Sequence, residues 1–149
     1  MQQDIIDLKI QEFEAACRRR GLPVTVQRRS ILEAVLHRDD HPTADELYDE
    51  VKGRIPTISR TTVYRVLETL VELQVIRRVN HPGATARYDG RTTRHHHLIC
   101  MRCNKIMDFD SEALDKLPMP RGKPQGFKIG DYSVHFLGTC PDCLKVKRQ

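Results

Sequence analysis

The 149-residue sequence contains no tryptophan, and aromatic residues make up only 5% of it. Any core must therefore be built from aliphatic side chains, and small cores of this kind often depend on a metal ion or a partner subunit. No apolar run approaches the roughly 20 residues of a membrane span, and the acidic, amphipathic start does not have the pattern of a signal peptide. We expect a cytoplasmic protein with no membrane partner, whose cysteines are metal ligands or redox groups rather than structural disulfides.

The net charge of +5 favours an anionic partner but is unevenly distributed. Residues 1–89 contain 14 Lys/Arg and 14 Asp/Glu, so the whole excess lies in residues 90–149. If the first half binds nucleic acid, local patches must do so. One such patch is free of acidic residues and contains Arg18, Arg19, Arg20, Arg28 and Arg29.

Residues 1–89 have the pattern of helices followed by a hairpin. Apolar residues recur at helical spacing, and two β-like runs surround the His-Pro-Gly sequence at 81–83. This order predicts a winged helix-turn-helix. The first helix is expected to end near Gly21, and the second to span 25–37. The third is expected to begin at a capping box of Thr43 and Glu46. The fourth is expected to span 59–73 with Ser59 as its N-cap.

The fourth predicted helix has the character of a DNA recognition helix, which presents its N-terminal residues to the bases of the major groove. Its polar residues lie away from the apolar face formed by Val63, Leu67 and Leu70. The alternative is an ordinary solvated polar face. The candidate DNA contacts are Arg60, Thr61, Tyr64 and Arg65 on this helix, together with Arg18, Arg19 and Arg28 from the basic patch.

The pattern becomes strand-like after about Gly90, with one short helix expected over 111–117. We predict an α+β protein in which a winged-helix DNA-binding domain (1–89) and a hinge (90–94) precede a small α/β domain (95–149). Strand-like runs are expected at 95–103, 105–110 and 126–140.

Four of the five cysteines form two Cys-x-x-Cys pairs, Cys100 with Cys103 and Cys140 with Cys143. Two such pairs can close a four-thiolate tetrahedral shell around a structural zinc ion, pinning the last strand to the first. The alternative is a pair of redox motifs or free thiols. The fifth, Cys17, lies on the apolar side of the first helix, where a small core residue is expected.

Three consecutive histidines precede the first cysteine pair. Because alternate residues of a strand share a face, His95 and His97 point one way and His96 the other. The nearest carboxylates are Asp89 and Asp108, and His41 could come from the helical half. Three imidazoles and two carboxylates suit Fe2+ or Mn2+, although Zn2+ would also be tolerated. A solvated histidine cluster without metal is the alternative.

The sequence resembles the Fur superfamily of metal-responsive repressors over nearly its whole length. The stretches that carry this resemblance are TVQRRSIL (25–32), HPTADELYDEV (41–51), SRTTVYRVLETL (59–70), ARYD (86–89), HHHLICMRCNKIMDF (95–109) and GTCPDC (138–143). The resemblance implies a homodimer that binds a palindromic double-stranded operator, with residues 95–149 as its metal-binding dimerisation domain. It also implies a four-cysteine zinc and a regulatory ion between domains. The implied regulatory ligands are His41, Asp89, His95, His97 and Asp108.

Within this family, Asp at positions 89 and 108 resembles the peroxide-sensing PerR-type branch, whereas iron sensors usually have Glu there. Arg65 is more similar to the iron-sensing Fur proteins, so an iron-responsive regulator is the alternative. A further metal site found in many Fur proteins is doubtful because this chain has Arg94, His96 and Tyr132 at its ligand positions. Pro23 also replaces a residue that is basic in many relatives.

Enzyme functions are the remaining alternatives. A zinc deaminase would need a His-x-Glu sequence beside its metal, but Leu98 and Ile99 follow the histidines. A zinc ion held by four cysteines has no open position for water, and retention of that zinc under mild oxidation would argue against a thiol-disulfide oxidoreductase. We therefore expect a regulator rather than an enzyme.

Overall fold

A computed structural model describes residues 2–122 and 124–146. The chain divides between Thr92 and Thr93 into two compact units. The first unit contains α1 (Gln3–Arg20), α2 (Val26–Leu36), α3 (Ala44–Arg54), α4 (Arg60–Glu72), β1 (Arg77–Val79) and β2 (Arg87–Asp89). The second contains β3 (His96–Cys100), β4 (Ile106–Phe109), α5 (Glu112–Asp115), β5 (His135–Gly138) and α6 (Pro141–Lys145).

The helix ends of the first unit follow local signals in the sequence. Gly21 ends α1 in the left-handed region at φ 64°, a conformation that costs glycine little. The predicted capping box is confirmed, since the Thr43 side chain accepts from the Glu46 amide and the Glu46 side chain accepts from the Thr43 amide. Ser59 is confirmed as the N-cap of α4, where its hydroxyl accepts from the Thr62 amide.

The core of the first unit is mainly aliphatic, as the composition requires. The inner faces of the four helices meet there and include Phe13, Leu32, Leu47 and Leu67, each with no exposed surface. Cys17 is also fully buried, which confirms it as a core residue, and burial raises the pKa of its thiol. Each helix within the described ranges is too short or too polar to span a bilayer.

The predicted hairpin is confirmed, although its strands have only three residues each. β1 and β2 pair in antiparallel register, with Arg77 opposite Asp89. The hairpin is anchored to the segment before α3, because the Tyr88 amide donates to the Pro42 carbonyl at 2.9 Å and Thr43 bridges to Arg87. These contacts bring the end of β2 beside residue 41.

The second unit is built on a three-stranded sheet in the order β4-β3-β5. β3 pairs antiparallel with β4 and parallel with β5. The sequence predicts a strand-like run at 126–140, but within it only His135–Gly138 forms a strand. Gly126 lies in a turn at φ 83°, and residues 127–134 have neither strand nor helix. α5 is shorter than expected, and α6 was not predicted despite the favourable proline at its first turn.

Candidate metal centres

The four paired cysteines converge in the second unit. One sulfur from each of Cys100, Cys103, Cys140 and Cys143 lies within 4.8 Å of the others, and the Cys103 and Cys140 sulfurs are 3.7 Å apart. Four sulfurs placed about 2.3 Å from one tetrahedral ion would be separated by about 3.8 Å. The cluster therefore has the dimensions of a zinc–tetrathiolate shell.

Local folding explains why the two cysteine pairs meet. β3 ends at Cys100, and Asn104 reverses the chain at φ 63° while its amide donates to the Cys100 carbonyl at 2.9 Å. β5 runs parallel to β3 with Gly138 opposite Cys100, and the Met101 amide donates to the Gly138 carbonyl. Cys140 follows two residues later, so the register of β5 delivers the second pair to the first.

The electrostatics of the cluster favour a bound cation. The Cys140 amide donates to the Cys100 sulfur at 3.3 Å, and the backbone amides of Cys140 and Cys103 lower the pKa of Cys100 to about 6. Side-chain hydrogen bonds with Cys103 and Cys140 raise the pKa of Cys143 to about 12. The Cys100 sulfur is thus favoured as a thiolate. Ionisation of all four cysteines requires a cation between them to offset their negative charges.

A second cluster in the same unit lies on one face of β3 and β4. The Nε2 atoms of His95 and His97 are 3.0 Å apart. Oδ1 of Asp108 lies 3.4 Å from His95 Nε2 and 3.5 Å from His97 Nε2. Both imidazoles are buried, and His95 Nδ1 lies 2.8 Å from the Thr93 carbonyl, which orients the ring. Two imidazole nitrogens and one carboxylate oxygen therefore lie close enough together to bind one ion.

The first unit places His41 and Asp89 side by side. His41 Nε2 is 3.7 Å from Asp89 Oδ2, and both side chains are buried. His41 adopts φ 54°, the left-handed region that a non-glycine residue rarely enters. The Arg87 guanidinium donates to the His41 carbonyl at 3.0 Å and helps to hold this conformation. The hairpin thus positions a histidine and a carboxylate together.

His96 points to the opposite face of β3, as strand alternation predicts. It has no exposed surface, its Nε2 lies 3.1 Å from Asp115 Oδ1, and its ring lies 5.7 Å from that of Phe109. Nearby, the Arg94 guanidinium stacks 4.5 Å from the Tyr132 ring and donates to Asp131 at 2.9 Å. Arg94 and Tyr132 thus belong to one arginine-centred network, and His96 is paired separately with Asp115.

His135 was missed by the sequence analysis. It lies opposite His97 in the parallel pairing of β3 and β5, with the two ring centroids 5.2 Å apart. Burial, and then the neighbouring His97, lower the pKa of His135. Only the strand register brings these histidines together, and no local sequence signal reports that register.

The candidate DNA contacts of α4 are exposed, as predicted for Arg60, Thr61, Tyr64 and Arg65. Two of them contact α3: the Arg60 guanidinium pairs with Asp45, and the Tyr64 hydroxyl donates to the same carboxylate at 3.5 Å. From the basic patch, Arg18 and Arg19 are exposed, whereas Arg28 donates to the Pro23 carbonyl at 2.6 Å. Sequence reasoning did not identify Asp45.

The sequence between residues 19 and 137 matches the profile of the Ferric uptake regulator family. The chain belongs to this family. The fold of this chain is also similar to the solved structure of the Helicobacter pylori ferric uptake regulator Fur. That structure is 19% identical, covers 96% of each chain and has a TM-score of 0.80. The predicted fold class, a winged helix-turn-helix domain followed by a small α/β domain, is confirmed.

Other members of the ferric uptake regulator family are more similar in sequence. The peroxide operon regulator of Bacillus subtilis (strain 168) is 34% identical over 125 residues, covering 84% of this chain and 86% of the relative. The structure of the Francisella tularensis ferric uptake regulator with iron is 28% identical, covers 83% of this chain and 96% of that chain, and has a TM-score of 0.70. The relatives of this chain thus include both a protein named for peroxide and a protein named for iron uptake.

Proposed function

We propose that this chain is a metal-dependent, DNA-binding transcriptional repressor that responds to peroxide in the cytoplasm. The observation that carries the proposal is the pair of chelating half-sites. His41 and Asp89 lie together in the winged-helix unit, and His95, His97 and Asp108 lie together in the second unit. We propose that one regulatory ion takes ligands from both half-sites and so couples metal binding to DNA binding.

The donors of the half-sites suit Fe2+ or Mn2+. Imidazole nitrogens and carboxylate oxygens bind these ions readily, whereas thiolates select zinc. Ligands about 2.1 Å from an octahedral ion are separated by about 3.0 Å, and the His95 and His97 nitrogens have this separation. We therefore assign Fe2+ or Mn2+ to the histidine and carboxylate ligands, and a structural Zn2+ to Cys100, Cys103, Cys140 and Cys143.

Coupling to DNA follows from where the ligands are attached. His41 directly precedes the capped start of α3, and Asp89 ends the wing strand β2. An ion held by both units restricts the orientation of the winged helix. In a homodimer, two recognition helices can then match half-sites about one helical turn apart. Metal occupancy thereby changes operator affinity without the ion contacting DNA.

The second unit offers a surface for the partner subunit. β5 is an edge strand of the described sheet. Phe136 and Leu137 on β5 are exposed, as is Leu98, which lies opposite Phe136 on β3. An open edge with exposed apolar residues favours pairing with a second chain. The proposed assembly is a homodimer formed through this unit, with the DNA contacts supplied by α4 and by Arg18, Arg19 and Arg28.

The peroxide response is supported by the peroxide operon regulator among the relatives and by Asp at both carboxylate positions. Bound Fe2+ would activate H2O2 beside the ligands, so that H2O2, the two-electron oxidant, transfers one oxygen atom to a ligand imidazole while its other oxygen leaves as water. His95 is the preferred target of oxidation, with His41 as the second candidate. An oxidised imidazole is a weaker ligand, so the half-sites separate and the operator is released.

The test combines DNA binding with mass spectrometry. The purified dimer, loaded with Fe2+, is bound to an operator selected from random duplexes and then treated with low H2O2. We expect operator release together with the gain of one oxygen by the peptide containing His95. Release should not occur with Mn2+, which does not react in this way. An intact peptide with operator still bound would contradict the peroxide response.

An iron-responsive repressor is the second candidate, favoured by Arg65 and by the 28% identical Francisella tularensis protein with iron. It would bind the operator with Fe2+ and release it when Fe2+ is removed. Such a protein would not gain oxygen at the ligand histidines. The same peptide analysis therefore separates the two candidates.

A further inference from the structure

Lys9 is an unusual member of the inner face of α1. Its side chain is only 9% exposed and lies on the face that includes Ile6, Ile10 and Phe13. A buried ammonium requires compensating partners, because its transfer from water is costly. Its Nζ donates to the Thr92 hydroxyl at 3.0 Å, 83 residues away. Burial lowers the pKa of Lys9, and Glu12 and Asp89 counteract that shift.

Thr92, the partner of Lys9, lies where the chain leaves the first unit. Thr92 is the last residue of the first unit and follows Asp89 by three positions. The Asp89 carboxylate accepts from the Arg91 amide through Oδ1 at 2.7 Å, which leaves Oδ2 to face His41. The segment that leaves β2 is thus tied to Asp89 at its start and to α1 at its end.

We propose that Lys9 is a positioning residue for the regulatory ion, acting through Thr92 to keep the Asp89 carboxylate aimed at His41. The proposal rests on the function proposed above. Outer partners that orient a ligating group typically change metal affinity 10- to 100-fold when removed. The first helix, which supplies no ligand, would therefore contribute to the metal threshold of the repressor.

If Lys9 acted on the ion through its charge alone, removing Lys9 would change the metal affinity in the opposite direction. A cation close to Asp89 would repel a divalent ion, so its removal would tighten metal binding. Glu12 lies near enough to influence Lys9 electrostatically, and the opposite charges of these two side chains partly cancel at the site. We therefore expect the loss of orientation to exceed the relief of repulsion.

The main experiment measures Mn2+ affinity of the zinc-loaded dimer by paramagnetic resonance of the free ion. Lys9→Met removes the donor while keeping similar bulk, and Thr92→Val removes the acceptor. We expect each to weaken Mn2+ binding by about 10- to 100-fold, and the double variant to be no weaker than Lys9→Met. Thr92→Ser, which keeps the hydroxyl, should retain the wild-type affinity, as should the control Lys52→Met on the surface of α3.

Unchanged or tighter Mn2+ binding by Lys9→Met would overturn the proposal while leaving the repressor function intact. Amide hydrogen exchange in protein without Mn2+ tests the same anchor independently of the regulatory site. Lys9→Met should accelerate exchange at Arg91, whose amide bonds to Asp89. Unaltered exchange would also overturn the proposal. If Asp89→Asn leaves Mn2+ binding unchanged, the proposed regulatory site is wrong, and the exchange result still decides the role of Lys9.

Discussion

Asp108 lies directly opposite His97 in the antiparallel pairing of β3 and β4, with 3.5 Å between its Oδ1 and His97 Nε2. Opposed residues share a face of the sheet, and the next residue on each strand takes the other face. His96 is accordingly opposite Phe109, and the two rings are 5.7 Å apart. Strand register therefore decides which histidine meets a carboxylate beside the proposed ion.

A matched pair of histidine substitutions tests this division between faces. His97→Ala removes a proposed ligand and should abolish Mn2+-dependent operator binding. His96→Gln keeps a nitrogen near Asp115 and should leave that dependence unchanged. The measurement is operator binding by fluorescence anisotropy at increasing Mn2+. Equal losses in the two variants would show that the ligand assignment is wrong.

The choice of glutamine at position 96 follows from the structure. Strand alternation alone suggests that His96→Ala should leave regulation largely intact, because the side chain faces away from the proposed ion. The fully buried ring packs near Phe109 and contacts Asp115. Truncation to alanine would create a cavity and remove a polar partner, at a cost of about 1–3 kcal/mol in stability.

Loss of one thiolate should remove the structural zinc. Cys103→Ser opens the four-sulfur shell, so the purified chain should contain much less zinc and the second unit should melt at a lower temperature. Cys17→Ala is the control, since Cys17 lies in the core of the first unit. Zinc content by elemental mass spectrometry decides the matter. One zinc per chain in Cys103→Ser would contradict the assignment.

Local signals in the sequence predicted much of this molecule. Side-chain capping by Thr43 and Ser59 and the spacing of the cysteine pairs depend on nearby residues, and the structure agrees with them. Long-range register could not be predicted in the same way. The contact of His135 with His97, and the short β5 strand, depend on a parallel pairing between segments far apart in the chain. Lys9 and Thr92 meet for a similar reason.

Asp45 should restrain binding to DNA of arbitrary sequence. Its carboxylate pairs with Arg60 on α4, so it offsets a charge that could otherwise contact phosphate. Asp45→Asn should strengthen non-specific binding and steepen the plot of log K against log salt by about one counterion. Asp49→Asn, another exposed carboxylate of α3, is the control. A parallel change in both variants would indicate only a general charge effect.

The winged-helix unit should depend strongly on its aliphatic core. Leu67 has no exposed surface, and Leu67→Ala should lower the free energy of unfolding by about 2–5 kcal/mol. Leu8 is 55% exposed on α1, so Leu8→Ala should have a much smaller effect. Urea denaturation followed by circular dichroism measures both. Similar losses in the two variants would contradict the described packing.

The central claim is that one ion takes ligands from both units and couples metal to operator binding. It is tested most directly by the Mn2+ concentration that gives half-maximal operator binding in wild type, His41→Ala and Asp108→Ala. Each substitution removes a ligand from a different half-site. We predict that both variants require far more Mn2+ or fail to bind the operator at any Mn2+ concentration. Wild-type Mn2+ dependence in either variant would contradict the shared site.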